Sequence, residues 1–403
     1  MEDLVVFAIT MITLGQIGFC LPQLFARALL IQTYFPLLIF FIANAVIALG
    51  PTVFLLFPAW NTVYIAAIFP AWLLLGPALW LYVEGLTSDS PWRIQSKHII
   101  QIIPFALGLI TSGLIISLPL ELRQLIFSEG ANIDSGFPLV VIVSMFLAML
   151  LWALQSGYYV IRIFIRLSKY RQQLKDLFAS NEQRELGWLS WVLIITISSW
   201  GFSFVNLMST LLQDNALFGY RFGSTLLLIL VWTLAYWGLR QKPGFEGRYK
   251  DDESDILAPE STDSERSKKY ERSALSKDQS QRIADKINAA MAQQNLHLDP
   301  SLSLHKLARY VAISPNYISQ TLNETMDTNF FDFVNKWRVE TAKPKIIANE
   351  DTVLNIALDV GFNARSSFYK VFKKETGKTP TEFRLLHKQV SDKPDFLPKE
   401  RNR

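Results

Sequence analysis

Residues 356–384 read IALDVGFNARSSFYKVFKKETGKTPTEFR, and their spacing decides the fold of the C-terminal part of the chain. Ile356, Ala357 and Val360 share one helical face, Gly361-Phe362-Asn363 interrupts it, and Phe368 and Phe372 resume an apolar face on a second helix. Gly377 follows, at the position where a left-handed residue commonly ends a helix. Two short helices joined by a turn make a helix-turn-helix unit. The same order stands about fifty residues earlier. Ser303 caps a helix bearing Leu304, Leu307, Ala308 and Val311, a turn falls around Ala312 and Ile313, and Ser314-Pro315 opens a second helix with Ile318 and Leu322 facing inward. Asp327 takes the stop position of this first copy, where a short polar side chain tolerates the left-handed region.

Between the copies, residues 329–347 read as one linking helix of about 28 Å at 1.5 Å per residue. That is comparable with the ~34 Å of one DNA turn, so the two units are expected to address successive major grooves. Residues 281–403, the expected domain 281–390 with its tail, carry a net charge of +5, which suits a polyanionic partner.

With these residues in view, 281–388 resembles the DNA-binding domain of the AraC/XylS family of bacterial transcription regulators. The resemblance rests on the Gly361-Phe362 turn, Phe372-Lys373-Lys374, Gly377-x-Thr379-Pro380 and Phe383-Arg384, all in order. The first copy, SPNYISQTLNETMDTNFFDFVNKWR at 314–338, is similar to members in which such a domain follows a seven-helix membrane region, and so is GPALWLYVEGL at 76–86. Pro344 departs from the family's unbroken linking helix; its missing N–H and ring clash are expected to kink or shorten it.

The positions facing away from the apolar stripes are those free to touch DNA. The resemblance implies that Asn316, Ser319 and Gln320 in the first copy, and Arg365, Ser366, Tyr369 and Lys370 in the second, face the major groove. Arg365 suits a bidentate guanine contact and Gln320 an adenine contact. Asn323, Lys373 and Lys374 are assigned to phosphates, which position a domain without reading sequence. The resemblance also implies contact with RNA polymerase.

Working outward, residues 244–280 read as a charged flexible linker, with net charge −4 over 251–280, and residues 391–403 as a disordered tail. Residues 279–294 form a short amphipathic helix through Ile283, Ile287, Ala290 and Met291. Residues 1–243 differ sharply, holding ten of the 11 tryptophans of a 403-residue chain. Apolar runs at 4–21, 35–57, 62–83, 99–118, 137–160, 188–212 and 219–239 are each long enough to cross a bilayer. The first lacks a basic n-region and a cleavage site, so it is expected to be a retained span. Arg27, Arg93, Lys97, Arg162, Arg166, Lys169, Arg240 and Lys242 fall on alternate loops, which places the N-terminus outside and the C-terminal domain in the cytoplasm.

The expected fold is therefore all-α, a seven-helix transmembrane bundle of the bacterial inner membrane followed by two helix-turn-helix units on a linking helix. The one cysteine, Cys20, excludes an internal disulfide and a Cys-rich zinc site. No motif anchors enzyme chemistry, and neither cofactor nor metal is expected. Embedded polar groups such as Asn44 and Gln155, with several prolines, fit either a sensing pocket or ordinary helix packing. The expected function is a membrane-embedded one-component transcription regulator that binds double-stranded DNA, contacts lipid, pairs as a homodimer and responds to an unidentified small-molecule or membrane signal. The alternative is a membrane receptor or transporter whose tail binds a protein.

Overall fold

The computed structural model describes residues 4–88, 91–127, 136–180, 186–213, 220–241 and 275–391, without the side chains of 200, 203–213, 220 and 388–391. Most of the linker expected at 244–280 and the tail from 392 lie outside the described residues. The described chain is helical, its isolated bridge between Phe178 and Ser303 aside. It divides into two compact units, one of residues 1–168 with 186–258 and one of 169–185 with 259–403.

The first unit holds α1 (Leu4–Leu30), α2 (Phe35–Ala48), α3 (Gly50–Leu56), α4 (Asn61–Leu86), α5 (Ile103–Ser117), α6 (Leu120–Ile126), most of α7 (Phe137–Leu177), α8 (Gly187–Gln213) and α9 (Tyr220–Thr233). Among the described residues, six stretches are long and apolar enough to cross a membrane: Leu4–Leu30, Gln32–Leu56, Pro58–Leu86, Ser96–Ser117, Phe137–Leu177 and Arg221–Gly238. The seventh expected span falls on α8, whose apolar part among the described residues covers Gly187–Ser199.

Prolines explain several embedded polar groups of this unit. A helical proline has no N–H for the carbonyl four residues earlier, and in an apolar surrounding that carbonyl needs another donor. Pro51, Pro70 and Pro77 would orphan Ile47, Ala66 and Leu73. Tyr64 Oη donates to Ile47 O (2.8 Å), Ser112 Oγ to Ala66 O (2.6 Å) and Gln155 Nε2 to Leu73 O (2.8 Å). Gln155, one of the groups compatible with a sensing pocket, is thus occupied in joining α7 to α4. Gly108 of α5 packs against the Pro70 backbone, where an added Cβ would meet Pro70 Cα at 2.8 Å. Glu84 and His98, separate in sequence, also meet (3.5 Å), with His98 stacked on Trp92.

The second unit contains the end of α7 with residues 178–180, then α10 (Lys277–Gln294), α11 (Leu304–Val311), α12 (Pro315–Gln320), α13 (Phe330–Ala348), α14 (Val353–Asp359), α15 (Arg365–Thr376) and α16 (Pro380–Ser391). Helix α10 starts at a capping box, in which Ser276 Oγ accepts from Gln279 N and Gln279 Oε1 from Ser276 N. Its Ala284, Ile287, Ala290 and Met291 turn inward, so the amphipathic stripe packs on the following helices.

Two cores lie along α13. The first gathers Ile287, Met291, Leu304, Leu307, Ile318 and Leu322 with Phe330, Phe333 and Val334 of α13. The second gathers Ile356, Val360, Phe362, Phe368 and Phe372 with Val339, Ala342 and Ile346 of the same helix. Each fully buried aliphatic or aromatic side chain contributes about 1.5–3 kcal/mol, so α13 is bonded into both units along its length. The expected shortening at Pro344 does not occur: α13 runs one turn past it to Ala348, and Asn349 closes it in the left-handed region (φ 54°). Ile346, two residues beyond Pro344, is fully buried in the second core, and that burial offsets the break in the backbone ladder.

Candidate nucleic-acid interface

Each helix-turn-helix unit is set by its turn. In the first, Ala312 is left-handed (φ 53°) and Ile313 N bonds back to Ala308 O (3.1 Å), while Ser303 Oγ caps α11 at Lys306 N. In the second, Thr352 Oγ1 caps α14 and Phe362 N bonds to Ala357 O (2.9 Å). Gly361 is obligatory there. Its φ is 95°, and a Cβ would lie 2.8 Å from Leu298 O and 2.9 Å from His297 O. Asp327 (φ 47°) and Gly377 (φ 75°) end the two second helices in the left-handed region, as their positions implied.

Helix α12 passes after Gln320 into a π turn over Thr321–Thr325. Ile318 and Leu322 are buried, Asn316 and Asn323 are exposed, and Ser319 and Gln320 are half-buried. Gln320 Nε2 donates to Glu324 Oε2 (2.9 Å), and Asn323 Nδ2 reaches Ser319 Oγ (3.4 Å). Glu324 is thus a fifth polar group of this face, which the sequence reading passed over although it stands four residues from Gln320. An exposed carboxylate there repels phosphate and accepts from a cytosine amino group.

On α15, Arg365, Ser366, Lys370, Lys373 and Lys374 are exposed, whereas Tyr369 is half-buried against the second core. Arg365 lies with its guanidinium 4.9 Å from the centre of the Tyr369 ring and donates from Nη2 to Tyr369 Oη (3.0 Å). Thr381 Oγ1 stands 3.3 Å from the same oxygen. Partial burial raises the Tyr369 phenol, but its bonds to Thr381 and Arg365 and the charges of Arg365 and Arg384 outweigh this and leave it below the ordinary range. The Tyr369 hydroxyl is thus engaged within the domain, by Arg365 and Thr381. Lys374, assigned to phosphate, pairs with Asp332 at the start of α13 (2.7 Å), while Lys373 is exposed.

Arg384 fastens the last helix to the linking helix, with Nε on Ile346 O and Nη2 on Asp351 O (both 3.1 Å). His297 is buried in a tight turn between the cores, with Nδ1 3.2 Å from Met291 O and Nε2 2.9 Å from Thr341 Oγ1. Burial, reinforced by the Arg338 charge and opposed by the Met291 contact, holds its imidazole below its ordinary pKa.

Two short helix pairs carried by one shared helix, each presenting a polar face, define a double helix-turn-helix DNA-binding domain. Residues 307–385 match the helix-turn-helix domain family, and the C-terminal part of the chain is an AraC-type helix-turn-helix domain. An uncharacterised HTH-type transcriptional regulator of Staphylococcus aureus strain COL is 35% identical over 100 residues, which are 25% of this chain and 13% of that protein. The uncharacterised HTH-type transcriptional regulator YijO of Escherichia coli K12 is 32% identical over 95 residues, 23% of this chain and 34% of that protein. The chain thus spans 13% of the length of the staphylococcal relatives it matches. Among solved structures, a Listeria innocua protein of unknown function is 30% identical, covering 25% of this chain and 94% of its own, with a TM-score of 0.23. The C-terminal domain of AraT, a response regulator from Geobacillus stearothermophilus, is 22% identical, covers 30% of this chain and 98% of its own, and has a TM-score of 0.24.

Proposed function

We propose that this protein is a membrane-embedded one-component transcription regulator, with an N-terminal bundle that senses a signal and a C-terminal domain that binds promoter DNA sequence-specifically. The observation that carries the reading is a single chain that joins, among the described residues, six apolar helices of spanning length to a domain of two helix-turn-helix units, the second with Arg365, Lys370 and Lys373 exposed. Basic residues on alternate loops favour a cytoplasmic C-terminus. There Arg365 reads a guanine, Asn316, Ser319, Gln320, Ser366 and Lys370 line the rest of the two reading faces, and Asn323 and Lys373 hold phosphates. Signal-dependent pairing of bundles raises the local concentration of paired domains at a two-part site, and the resemblance to the AraC/XylS family points to contact with RNA polymerase.

The test is selection of random duplex DNA by the full-length protein in lipid nanodiscs, at two salt concentrations, beside Arg365→Ala. A motif of about 20 base pairs, relaxed at one position by the variant, is the expected result. Binding without a motif, or capture of a cytoplasmic protein with no DNA, would favour the protein-binding tail instead.

A further inference from the structure

Residues 169–180, the end of α7 and the three residues after it, precede the apolar helix α8 in sequence, yet they belong to the compact unit that holds the DNA-binding helices. Beyond Leu177 the chain leaves the helix. Phe178 pairs antiparallel with Ser303, and Ala179 N donates to Leu302 O (3.2 Å). Ala179 O in turn accepts from two side chains of α13, Asn335 Nδ2 and Arg338 Nη1 (both 3.2 Å), and Ser180 Oγ accepts from Arg338 Nη1 (3.1 Å).

Arg338 has no exposed surface and also donates to His297 O (2.7 Å) and Asp299 O (2.8 Å). A buried guanidinium is tolerated only where its fan of donors finds acceptors, and here residues 179 and 180 supply two of them. The contact is asymmetric as well. Ala179 and Leu177 enter the first core, beside Leu304, Leu307 and Ile318, whereas no described residue of 169–180 joins the second.

We propose that residues 177–180 are a latch. Arg338, Asn335 and the 299–303 loop form its receptor, and a signal reaches the first helix-turn-helix unit through this seat as well as through the linker expected at 244–280. The proposal rests on the reading of the N-terminal unit as the sensing half. A long polar tether passes on proximity alone. The latch is different in kind, because α7 runs unbroken from Phe137 to Leu177, three residues before its last latch contact. Movement of that helix therefore acts first on the core of the first unit, where Ala179 and Leu177 sit.

The experiment uses the full-length chain in native membranes, with a specific protease site inserted at 259–270. After cleavage and washing, most of the C-terminal fragment is expected to remain on the membrane, and Ala179→Trp, which overfills a position that is 1% exposed, to release it. Release of the cleaved wild type would overturn the proposal. Because Ala179→Trp can also loosen the domain, a second arm joins the bridge pair as Phe178→Cys with Ser303→Cys, and Ser303→Cys alone controls for the lost cap. Rapid cross-linking in the uncleaved protein supports the latch, and its failure under oxidation overturns it. Footprinting of the same variants on the selected DNA then reads the asymmetry. Ala179→Trp is expected to weaken protection of the half-site under the first unit several-fold and to spare the other; equal loss at both overturns the asymmetric route. Should the wild type protect no DNA, the transcription-regulator reading falls while the fragment and cross-linking arms still decide the latch.

Discussion

The second helix of the first unit, residues 315–325, carries one acid and no base, whereas that of the second, 365–376, carries four bases and one acid. Both sit on the same shared helix, with equivalent apolar positions buried, so the scaffold does not account for the difference. The contrast lies in the exposed face. The first unit offers short amides and hydroxyls and ends in a π turn, with Gln320 tied to Glu324; the second offers a held arginine and exposed lysines. Phosphate attraction is strong, long in reach and indifferent to sequence, while short neutral groups act only at contact. The second unit is therefore expected to supply most of the affinity, and the first to add discrimination once it is seated.

Core truncation breaks the comparison most severely. Phe368 and Ile318 are the central buried residues of the two second helices. Phe368→Ala is expected to cost about 3–5 kcal/mol and Ile318→Ala about 2–5 kcal/mol, through lost burial and the cavity left behind. Hydrogen exchange on the intact protein checks whether damage stays local. Phe368→Ala should expose amides of 353–376 and spare 304–325, and loss of protection in both would mean that α13 makes the two units one cooperative body.

Next in size is removal of the held arginine. Arg365→Ala is expected to cost about 1–3 kcal/mol of discrimination at one base pair, with Gln320→Ala below it because that amide is already engaged by Glu324. Tyr369→Phe sharpens the point: it removes the oxygen that holds Arg365 and should give part of the Arg365→Ala effect at the same base position. Competition binding with single-base variants of the selected site measures all three, and equal effects from Gln320→Ala and Arg365→Ala would remove the proposed division of labour.

The helix-turn-helix pairs were legible because they are written locally. Apolar spacing, Ser303, Pro315, Gly361 and Gly377 each act within a few residues, and each stands where that logic requires. Pro344 misled because the local cost of a helical proline was weighed without the tertiary gain from Ile346 burial. The seat of Ala179 on Asn335 was not legible, since it joins residues 156 positions apart through a backbone carbonyl, which carries no sequence signature. Arg338 left a trace: it stands four residues from both Val334 and Ala342, on the buried side of α13, and an arginine on an inward stripe asks for acceptors. Of the reading faces, the exposed positions followed from helical periodicity, but the ties of Gln320, Lys374 and Arg365 to their neighbours did not.

The turn between the two cores should respond to acid. His297 has its imidazole held below the ordinary value of 6.5, chiefly by burial, so the unfolded chain takes up a proton at a higher pH than the folded one does. Stability from the neutral ring is complete above about 6.5 and declines as pH falls from there toward the folded-state value. Denaturant midpoints followed from pH 7.5 downward should show this decline, and His297→Gln should flatten it. Because the His297 and Leu298 carbonyls abut Gly361 of the second turn while Leu296 packs on the first core, acid should loosen the joint before either reading helix. Exchange that begins in 304–325 or 365–376 would contradict this.

The smallest change is the most direct probe of the contrast. Glu324→Gln removes the one charge from the second helix of the first unit and keeps the side chain's length, so Gln320 retains a neutral partner. Less repulsion of phosphate should tighten binding by less than about 1 kcal/mol, with the gain shrinking at high salt. If Glu324 also accepts from a cytosine, the same variant loses preference at one position of the first half-site while total affinity rises. Affinity and selectivity then move in opposite directions, which a purely electrostatic role for Glu324 does not produce. Selection at two salt concentrations separates the cases: a uniform, salt-sensitive gain makes the acid a brake on affinity alone, whereas relaxation at one base pair makes the first unit a reader in its own right.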